Sequence, residues 1–382
     1  MAFPVGPKPS SFKVFARRDE GRHGDRPLQT RFFHSFKGRG AFCGRVPCVH
    51  NTKAHMDSDL KDIIIIGAGP TGLACAIEAE KNHLNCVVIE KGCIVNSIQN
   101  FPVQMTFFTT PELLEIGGLP FVSSYEKPTR LEALKYYRRT ADTYHLKLRL
   151  YETVLAVEGA DGDFRVKTQT RAGAACQYRS KKIILATGYY DIPNLLMIPG
   201  EDLPNVAHYY TEAHPYYGMD VAVIGGKNSA AIAALDLYRH GARVTLIHRG
   251  TDLSPSIKYW IKPDIENRIK SQEISAFFGT SVVEIAQEQI LLRNSAAKTW
   301  ALKNDFVFAM TGYRPDLEFF KALGIHLNPA DQRPFHKNTY ESDVPGIYLA
   351  GVVVAGMHTN EVFIENGRFH GEVIIKDISQ QM

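Results

Sequence analysis

Two glycine-rich stretches hold the residues whose types and spacing could do chemistry. The first reads GAGPTG and places Gly67, Gly69 and Gly72 in a G-x-G-x-x-G spacing. Such glycines allow positive φ and a close approach of a pyrophosphate, and a helix that follows them offers unpaired N–H groups. The second stretch reads GGKNSA, from Gly225 to Ala230. The chain therefore has two candidate turns for phosphate-bearing ligands.

The elements around the first turn complete a βαβ unit. A strand from Asp62 to Ile66 precedes the turn, a helix to about Lys81 follows it, and the strand CVVIE ends at Glu90. An acid about 20 residues after the turn can accept hydrogen bonds from a ribose. Strand, helix and acid together indicate a dinucleotide site, which the glycines alone would not.

The second turn begins another βαβ unit, which ends differently. Its strand runs from Val221 to Ile224, its helix to about His240, and its next strand ends in His248 and Arg249. Cations at this position suit the 2′-phosphate of NADPH better than the free hydroxyl of NADH. A solvated surface pair is the alternative interpretation. One acidic and one basic unit suit two different ligands, FAD and NADPH.

The remaining patterns connect these units. Residues 153–182 alternate apolar and polar side chains, which predicts a β-meander, and KIILATG then ends in Thr187 and Gly188. After Asp305 come FVFAMTGYRPD, the strand and turn GIYLAGVVVAG, and a closing helix in FIENGRFHGEVIIKDI. This tail carries no further G-x-G-x-x-G. It is predicted to return to the first domain, so that the second nucleotide domain is inserted into the first.

The charge distribution separates a basic front from an acidic body. Residues 1–55 hold 11 Lys or Arg and 3 Asp or Glu, so the net charge of +4 becomes −4 for the remainder. The front lacks periodicity and resembles a transit peptide, but a start at Met56 is the favoured interpretation. The body has no compact basic patch and no apolar run of about 18 residues. These features argue against a nucleic-acid partner and a membrane protein.

The six cysteines form no C-x-x-C pair and no zinc spacing, and no metal site is predicted. A reduced, cytoplasmic setting fits them best. Cys75 and Cys93 are the remaining candidates for a redox thiol. For both, a structural role is the favoured interpretation.

In their order along the chain, GAGPTGL, ATG, VIGGKNSA, HRG and GIYLAG resemble the thioredoxin-reductase-like flavoproteins with two dinucleotide-binding domains. Within that group, EKGCIVNSIQNFP, MTFFTTPELLEIGGLPF, SPSIKYWIKP and FIENGRFHG resemble the bacillithiol disulfide reductases of the YpdA family. This resemblance covers residues 62–379. It implies an α/β fold with two Rossmann-like domains, and an FAD enzyme that uses NADPH to reduce a low-molecular-weight disulfide.

Three departures from these families bear on the chemistry. The region before the second turn has no redox C-x-x-C, which makes thioredoxin an unfavoured substrate. Val352 follows the late Ala350-Gly351, where the broader group has an Asp that contacts the flavin. Thr71 stands in the first turn where many relatives have Cys. A ferredoxin- or flavodoxin-NADP reductase and a redox-sensing flavoprotein with little turnover therefore stay as alternatives.

The predicted organisation has four segments and two cofactor sites. The segments are a basic extension over residues 1–61, a first FAD-binding part over 62–190, an NADPH-binding domain over 191–311 and a second FAD-binding part over 312–382. The residues predicted to bind FAD are Gly67, Gly69, Pro70, Thr71, Gly72, Glu90, Lys91, Thr187, Gly188 and Gly351. Those predicted to bind NADPH are Gly225, Gly226, Asn228, Ser229, Ala230, His248 and Arg249. A homo-oligomer is an additional expectation.

Overall fold

A computed structural model describes residues 55–382 of the chain. The predicted N-terminal extension lies outside the described residues up to residue 54. The strands are β1 (His55–Ile66), β2 (Cys86–Glu90), β3 (Leu148–Leu150), β4 (Glu152–Ala160), β5 (Asp163–Thr170), β6 (Ala175–Leu185), β7 (Ile192–Pro193), β8 (Val206–Ala207), β9 (Asp220–Ile224), β10 (Arg243–Ile247), β11 (Ser275–Phe277), β12 (Thr280–Ile285), β13 (Gln289–Asn294), β14 (Thr299–Lys303), β15 (Phe306–Ala309), β16 (Tyr313–Arg314) and β17 (Ile347–Leu349). The helices are α1 (Pro70–Lys81), α2 (Asn96–Gln99), α3 (Arg130–Thr143), α4 (Asn228–Arg239), α5 (Lys262–Lys270), α6 (Leu317–Ala322), α7 (Ile364–Gly367) and α8 (His370–Gln381).

The first sheet has seven strands in the order β3-β2-β1-β6-β5-β4, with β17 also paired with β6. The strands β3, β2, β1, β6 and β17 run parallel, while β4, β5 and β6 form the antiparallel meander that the sequence predicted. One edge of β6 pairs with β5 along its first half and with β17 along its second. The tail therefore joins the sheet that β1 began.

The run of four isoleucines in β1 follows from burial of this sheet on both faces. Ile63 and Ile65 belong to a core with α1, α3 and α8, whereas Ile64 and Ile66 belong to a core on the opposite face. A parallel sheet that is covered on both faces needs apolar residues at every position, not at alternate ones. β1 is also longer than the predicted Asp62–Ile66, because it begins at His55.

The second sheet repeats this arrangement within residues 206–309. It has five strands in the order β11-β10-β9-β15-β8, all parallel. Alanines of α4 pack on one face, and the three-stranded sheet β12-β13-β14 supplies apolar residues to the other. The chain leaves the first sheet after β6 and returns to it at β17. The mixed α/β fold with two Rossmann-like sheets is as predicted.

The connections between the sheets are rich in tyrosine and include the short strands β7 and β16. β7 pairs antiparallel with β16, where Tyr313 lies opposite Pro193. The Tyr209 and Tyr313 rings stack with centroids 5.1 Å apart, and Tyr190 lies 4.5 Å from Tyr313. The Tyr209 hydroxyl donates to the Tyr190 carbonyl at 2.8 Å. These contacts hold both connecting strands together.

The predicted closing helix is two helices. α7 ends at Gly367 and α8 begins at His370. At the break, Arg368 Nη1 donates to the carbonyls of Glu112 and Glu115, at 2.7 Å each. A contact from a segment more than 250 residues earlier therefore fixes a bend that local periodicity does not indicate. No helix among the described residues is long and apolar enough to cross a membrane.

Candidate functional site

The first glycine turn lies at the carboxyl end of β1 and has two kinds of glycine. Gly67 has φ +110°, and a Cβ there would overlap the Ala186 carbonyl at the end of β6. A Cβ on Gly72 would overlap the Gly67 carbonyl. Gly69 has ordinary extended backbone angles, and a Cβ there would meet nothing within 4 Å. Gly67 and Gly72 therefore serve the turn itself, whereas Gly69 leaves space beside it.

Glu90 ends β2 and is only 8% exposed. Its Oε2 accepts from the Ala68 N–H at 2.9 Å, and its Oε1 accepts from the Gly92 N–H at 2.8 Å. Burial raises the pKa of Glu90, against the opposing effect of these two hydrogen bonds. Each oxygen has a further lone pair, so the carboxylate can still accept hydrogen bonds from a ligand hydroxyl.

Two adjoining clefts lie beside this turn, and Glu90, Thr187, Gly188, Tyr189 and Asp191 line both of them. The first cleft has a volume of about 160 Å³, and the second about 300 Å³. Together they make an elongated site along the carboxyl ends of β1, β2 and β6, where ligands of open α/β sheets bind.

Most residues predicted to bind FAD line these clefts. The first cleft is lined by Gly67, Glu90, Lys91, Thr187 and Gly188. The second is lined by Gly69, Pro70, Thr71, Glu90, Thr187, Gly188 and Gly351. Gly72 lies behind the turn as a packing residue. Lys91 forms an ion pair with Asp191, with Nζ and Oδ2 2.9 Å apart.

Thr187 lines both clefts and has a side-chain oxygen without a partner. Thr187 Oγ1 is inaccessible to solvent and has no hydrogen-bond partner among the described residues. Burial of an unpaired hydroxyl is costly, so a polar ligand group that pairs with it would be favoured. The unpaired hydroxyl and the open space at Gly69 together fit a bound dinucleotide.

The late glycine turn is held by a histidine that the sequence prediction did not include. The Gly351 N–H donates to His370 Nδ1 at 3.1 Å, so the proton of the neutral ring is on Nε2. Burial lowers the pKa of His370 to about 4. The ring stacks on Tyr340, with centroids 4.0 Å apart. His370 is 19 residues from Gly351, and no motif in the sequence links the two.

The sequence prediction also missed part of the second cleft's wall. This wall includes aromatic and apolar residues from the segment between α2 and α3, and Glu365 from α7. The residues from the segment are Phe101, Met105, Phe107, Phe108 and Leu114. The only signal in the sequence was the unusual composition of the segment. This composition indicates the family to which the chain is similar, but it does not indicate which side chains line a cleft.

The second glycine turn is covered by a histidine ring. A Cβ on either Gly226 or Gly250 would overlap the ring of His248. Burial, followed by the charge of Arg249, lowers the pKa of His248. His248 is therefore neutral near pH 7, and the positive charge here comes from Arg249. The Arg249 side chain is exposed and makes no ion pair with a described carboxylate.

A loop over residues 254–258 folds onto this second turn. Asn228 Nδ2 donates to the Ser256 carbonyl at 3.2 Å, and Asn228 Oδ1 accepts from the Lys258 N–H at 2.9 Å. The Ser254 N–H donates to the Gly226 carbonyl at 2.9 Å. Asn228 thus holds the loop in the structure.

The other residues predicted at this turn lie at the start of α4. Ser229 is exposed, while Ala230 is buried. A Cβ on Gly225, which has φ +147°, would lie 3.0 Å from the Ala230 Cβ. Ala230 is therefore a packing partner of the turn, and Ser229 is open to a ligand.

The cysteines lie apart from the clefts. Cys75 is fully buried on α1 against Gly371 of α8, and burial raises its pKa to about 12. Cys93 Sγ donates to Asn96 Oδ1 at 3.6 Å, and burial raises its pKa too. Neither residue lines either cleft. No cluster of three or more His, Cys, Asp or Glu that could hold a metal occurs in residues 55–382.

The chain is similar to known proteins over most of its length. Residues 64–351 match the family described as pyridine nucleotide-disulphide oxidoreductase. Bacilliredoxin reductase Bdr of Bacillus subtilis is 44% identical over 320 residues, which are 83% of this chain and 97% of that protein. The solved bacillithiol disulfide reductase Bdr (YpdA) of Bacillus cereus is 45% identical, with a TM-score of 0.83, over 85% of this chain and 100% of that one.

A more distant solved structure shares the fold alone. Thioredoxin reductase of Lactococcus lactis is 21% identical, with a TM-score of 0.67, over 84% of this chain and 98% of that one. The match of the family model and the similarity to the Bdr proteins confirm the resemblance seen in the motifs. The chain belongs to the pyridine nucleotide-disulphide oxidoreductases and, within them, to the Bdr (YpdA) group.

Proposed function

We propose that this chain is an NADPH-dependent flavoprotein that reduces a low-molecular-weight disulfide such as bacillithiol disulfide. The observation that carries the proposal is the elongated cleft, with its open Gly69 and unpaired Thr187 hydroxyl, in a chain 45% identical to a bacillithiol disulfide reductase. The names of the relatives indicate two acceptors, a small disulfide and bacilliredoxin. The absence of a C-x-x-C pair favours the small disulfide as the acceptor.

In this proposal, FAD occupies the two clefts. Glu90 accepts hydrogen bonds from a ribose, Thr187 Oγ1 gains a polar partner, and Gly69 allows the pyrophosphate to approach. Pro70, Thr71, Lys91, Gly188 and Gly351 supply the remaining walls. Gly67 and Gly72 shape the turn. The residues 62–190 and 312–382 are the two parts of this FAD-binding domain.

NADPH is proposed to bind the second turn, within residues 191–311. Its pyrophosphate would lie at the N-terminus of α4 near Gly225, Gly226 and Ser229, since helix N-termini favour anions. Arg249 is the residue proposed to recognise the 2′-phosphate. His248 acts as a neutral packing group over the turn, which revises the supporting charge first expected of it.

Bound FAD supplies the two-electron relay between NADPH and the disulfide. In the balanced reaction, NADPH and one proton convert RS–SR to two RSH and NADP⁺. With FAD in both clefts, the protein admits the disulfide at the open end of the second cleft and supplies no thiol there, because Thr71 stands in the turn and Cys75 is buried. We also propose a cytoplasmic location, since Cys75, Cys86, Cys93 and Cys176 are all unpaired.

The decisive experiment is a screen of acceptors under anaerobic conditions. Flavin bleaching by NADPH should be reversed by bacillithiol disulfide, and less by oxidised ferredoxin or thioredoxin. Reversal only by ferredoxin would select a ferredoxin-NADP reductase instead. Bleaching that no acceptor reverses would indicate a redox sensor.

Two glycine variants should separate ligand binding from folding. Gly69→Val places a side chain in open space, so the fold should persist while FAD affinity falls by at least about tenfold. Gly72→Val drives its Cβ into the Gly67 carbonyl, so the protein should lose thermal stability or fail to fold. Bound FAD is measured by absorbance and unfolding by circular dichroism. Full FAD content in Gly69→Val would contradict the assignment of this cleft.

Arg249→Ala should weaken the use of NADPH about tenfold and change the use of NADH little. A hydrogen bond to a charged group contributes about 1.5 kcal/mol at the low end, which suits an exposed side chain, and tenfold corresponds to about 1.4 kcal/mol. The measurement is kcat/KM for both nucleotides. Arg293→Ala, at an exposed arginine of β13, is the matched control. Equal losses with NADPH and NADH would assign Arg249 a structural role.

Removal of either candidate thiol should leave most of the disulfide turnover. Cys75→Ala is preferred to serine, because serine would bury an unpaired hydroxyl. Cys93→Ser tests the partly exposed thiol. Turnover with NADPH and a small disulfide is measured beside the rate of flavin bleaching. If Cys75→Ala abolished disulfide reduction and left bleaching intact, Cys75 would be the redox thiol.

A further inference from the structure

The loop after the second glycine turn exposes two large aromatic side chains. Tyr259 is 81% exposed and Trp260 is 41% exposed, while Ile257 and Ile261 on either side are buried. Buried isoleucines fix the loop to the core of the second sheet. The loop therefore presents two aromatic rings on which a ligand can pack.

Two lysines surround this tryptophan. Lys127 Nζ lies 4.0 Å from the centroid of the Trp260 ring, and Lys258 Nζ lies 6.0 Å from it. Neither lysine forms an ion pair with a carboxylate in the part of the chain that the structure describes. Two ammonium groups near one ring, without a neutralising acid, create a local positive potential that attracts anions.

This cluster lies at the edge of the second cleft. Phe108 lines that cleft, and its ring contacts Trp260 with centroids 5.8 Å apart. Lys258 Nζ lies 5.5 Å from the Phe108 centroid. A small molecule that approaches the second cleft past Phe108 therefore passes close to Trp260 and Lys258.

The protein backbone holds both lysines in place. The Lys258 N–H donates to Asn228 Oδ1, while Pro128, next to Lys127, accepts from the Phe107 N–H at 2.9 Å. Trp260, two residues after Lys258, contacts the Phe108 ring. The backbone from which both lysine side chains extend is thus fixed before any ligand binds, which lowers the entropic cost of binding.

We propose that Lys127, Lys258 and Trp260 form the recognition site for the anionic groups of the disulfide substrate. This inference rests on the proposed function and gives the substrate class as a small disulfide that carries carboxylates. The lysines bind the carboxylates in the ground state, and the indole ring packs against the apolar part of the molecule. The effect is on KM, because neither lysine touches the reacting sulfurs.

The test compares an anionic and a cationic disulfide on the FAD-loaded, full-length protein. The variants are Lys127→Gln, Lys258→Gln and their double, with Lys298→Gln on the turn between β13 and β14 as the matched control. The backbone hydrogen bond of Lys258 survives its substitution. With bacillithiol disulfide, each single variant should raise KM about three- to tenfold, and kcat and the rate of flavin bleaching should stay unchanged.

With cystamine, which has no carboxylate, the same variants should leave KM unchanged or lower it. The site would be overturned if KM changed equally with both disulfides, if KM did not change, or if Lys298→Gln changed KM in the same way. In each of these cases, turnover by the wild-type protein would still uphold the proposed function. If the lysine variants lost turnover with a bacilliredoxin but kept it with both small disulfides, the site would be a protein-docking surface instead. Wild-type protein that reduces neither disulfide would overturn the proposed function and the site together.

Discussion

Both nucleotide turns depend on the same close contact between a glycine and the end of a neighbouring strand. In the first turn, the Gly67 α carbon lies against the Ala186 carbonyl that follows β6. In the second, Gly225 lies in the same way against the Met310 carbonyl that follows β15. Any side chain at these positions would separate the two central strands of its sheet. The contact therefore fixes where the carboxyl ends of the strands meet, and the first cleft opens at that edge.

The two turns differ in how the charge beside them is arranged. Glu90 is buried and receives two backbone hydrogen bonds, which hold its carboxylate in one orientation. Arg249 is exposed, and the neighbouring His248 ring is neutral and packed over glycine. A buried acceptor suits uncharged hydroxyls that need a fixed geometry, whereas an exposed guanidinium suits a phosphate that remains partly hydrated. The difference in burial therefore agrees with the difference between a tightly held cofactor and an exchanging co-substrate.

The sequence predicted the parts of the fold that depend on local spacing. Gly67, Gly72 and Glu90 lie within one βαβ unit, whose strand, turn and helix are continuous in the chain, so spacing and periodicity suffice. The partner of Gly351 could not be predicted, because His370 reaches it through packing of α8 on α1. The bend at Arg368 depends on carbonyls of a distant segment for the same reason. The lowered pKa of His248 also required the structure, since burial of the ring and then the charge of Arg249 cause it.

The loop from Ser254 to Trp260 lies next to the wall of the second cleft, since Trp260 contacts Phe108. Its first residues are held by Gly226 and Asn228 of the nucleotide turn, and its last aromatic ring contacts Phe108 of the first sheet's domain. Seven residues thus span from one proposed cofactor site to the other. Neither sheet alone explains which residues occur in this loop, because its first residues contact the second glycine turn and its last residue contacts Phe108. The loop is therefore attached at both ends, and its exposed residues lie where substrate recognition is proposed.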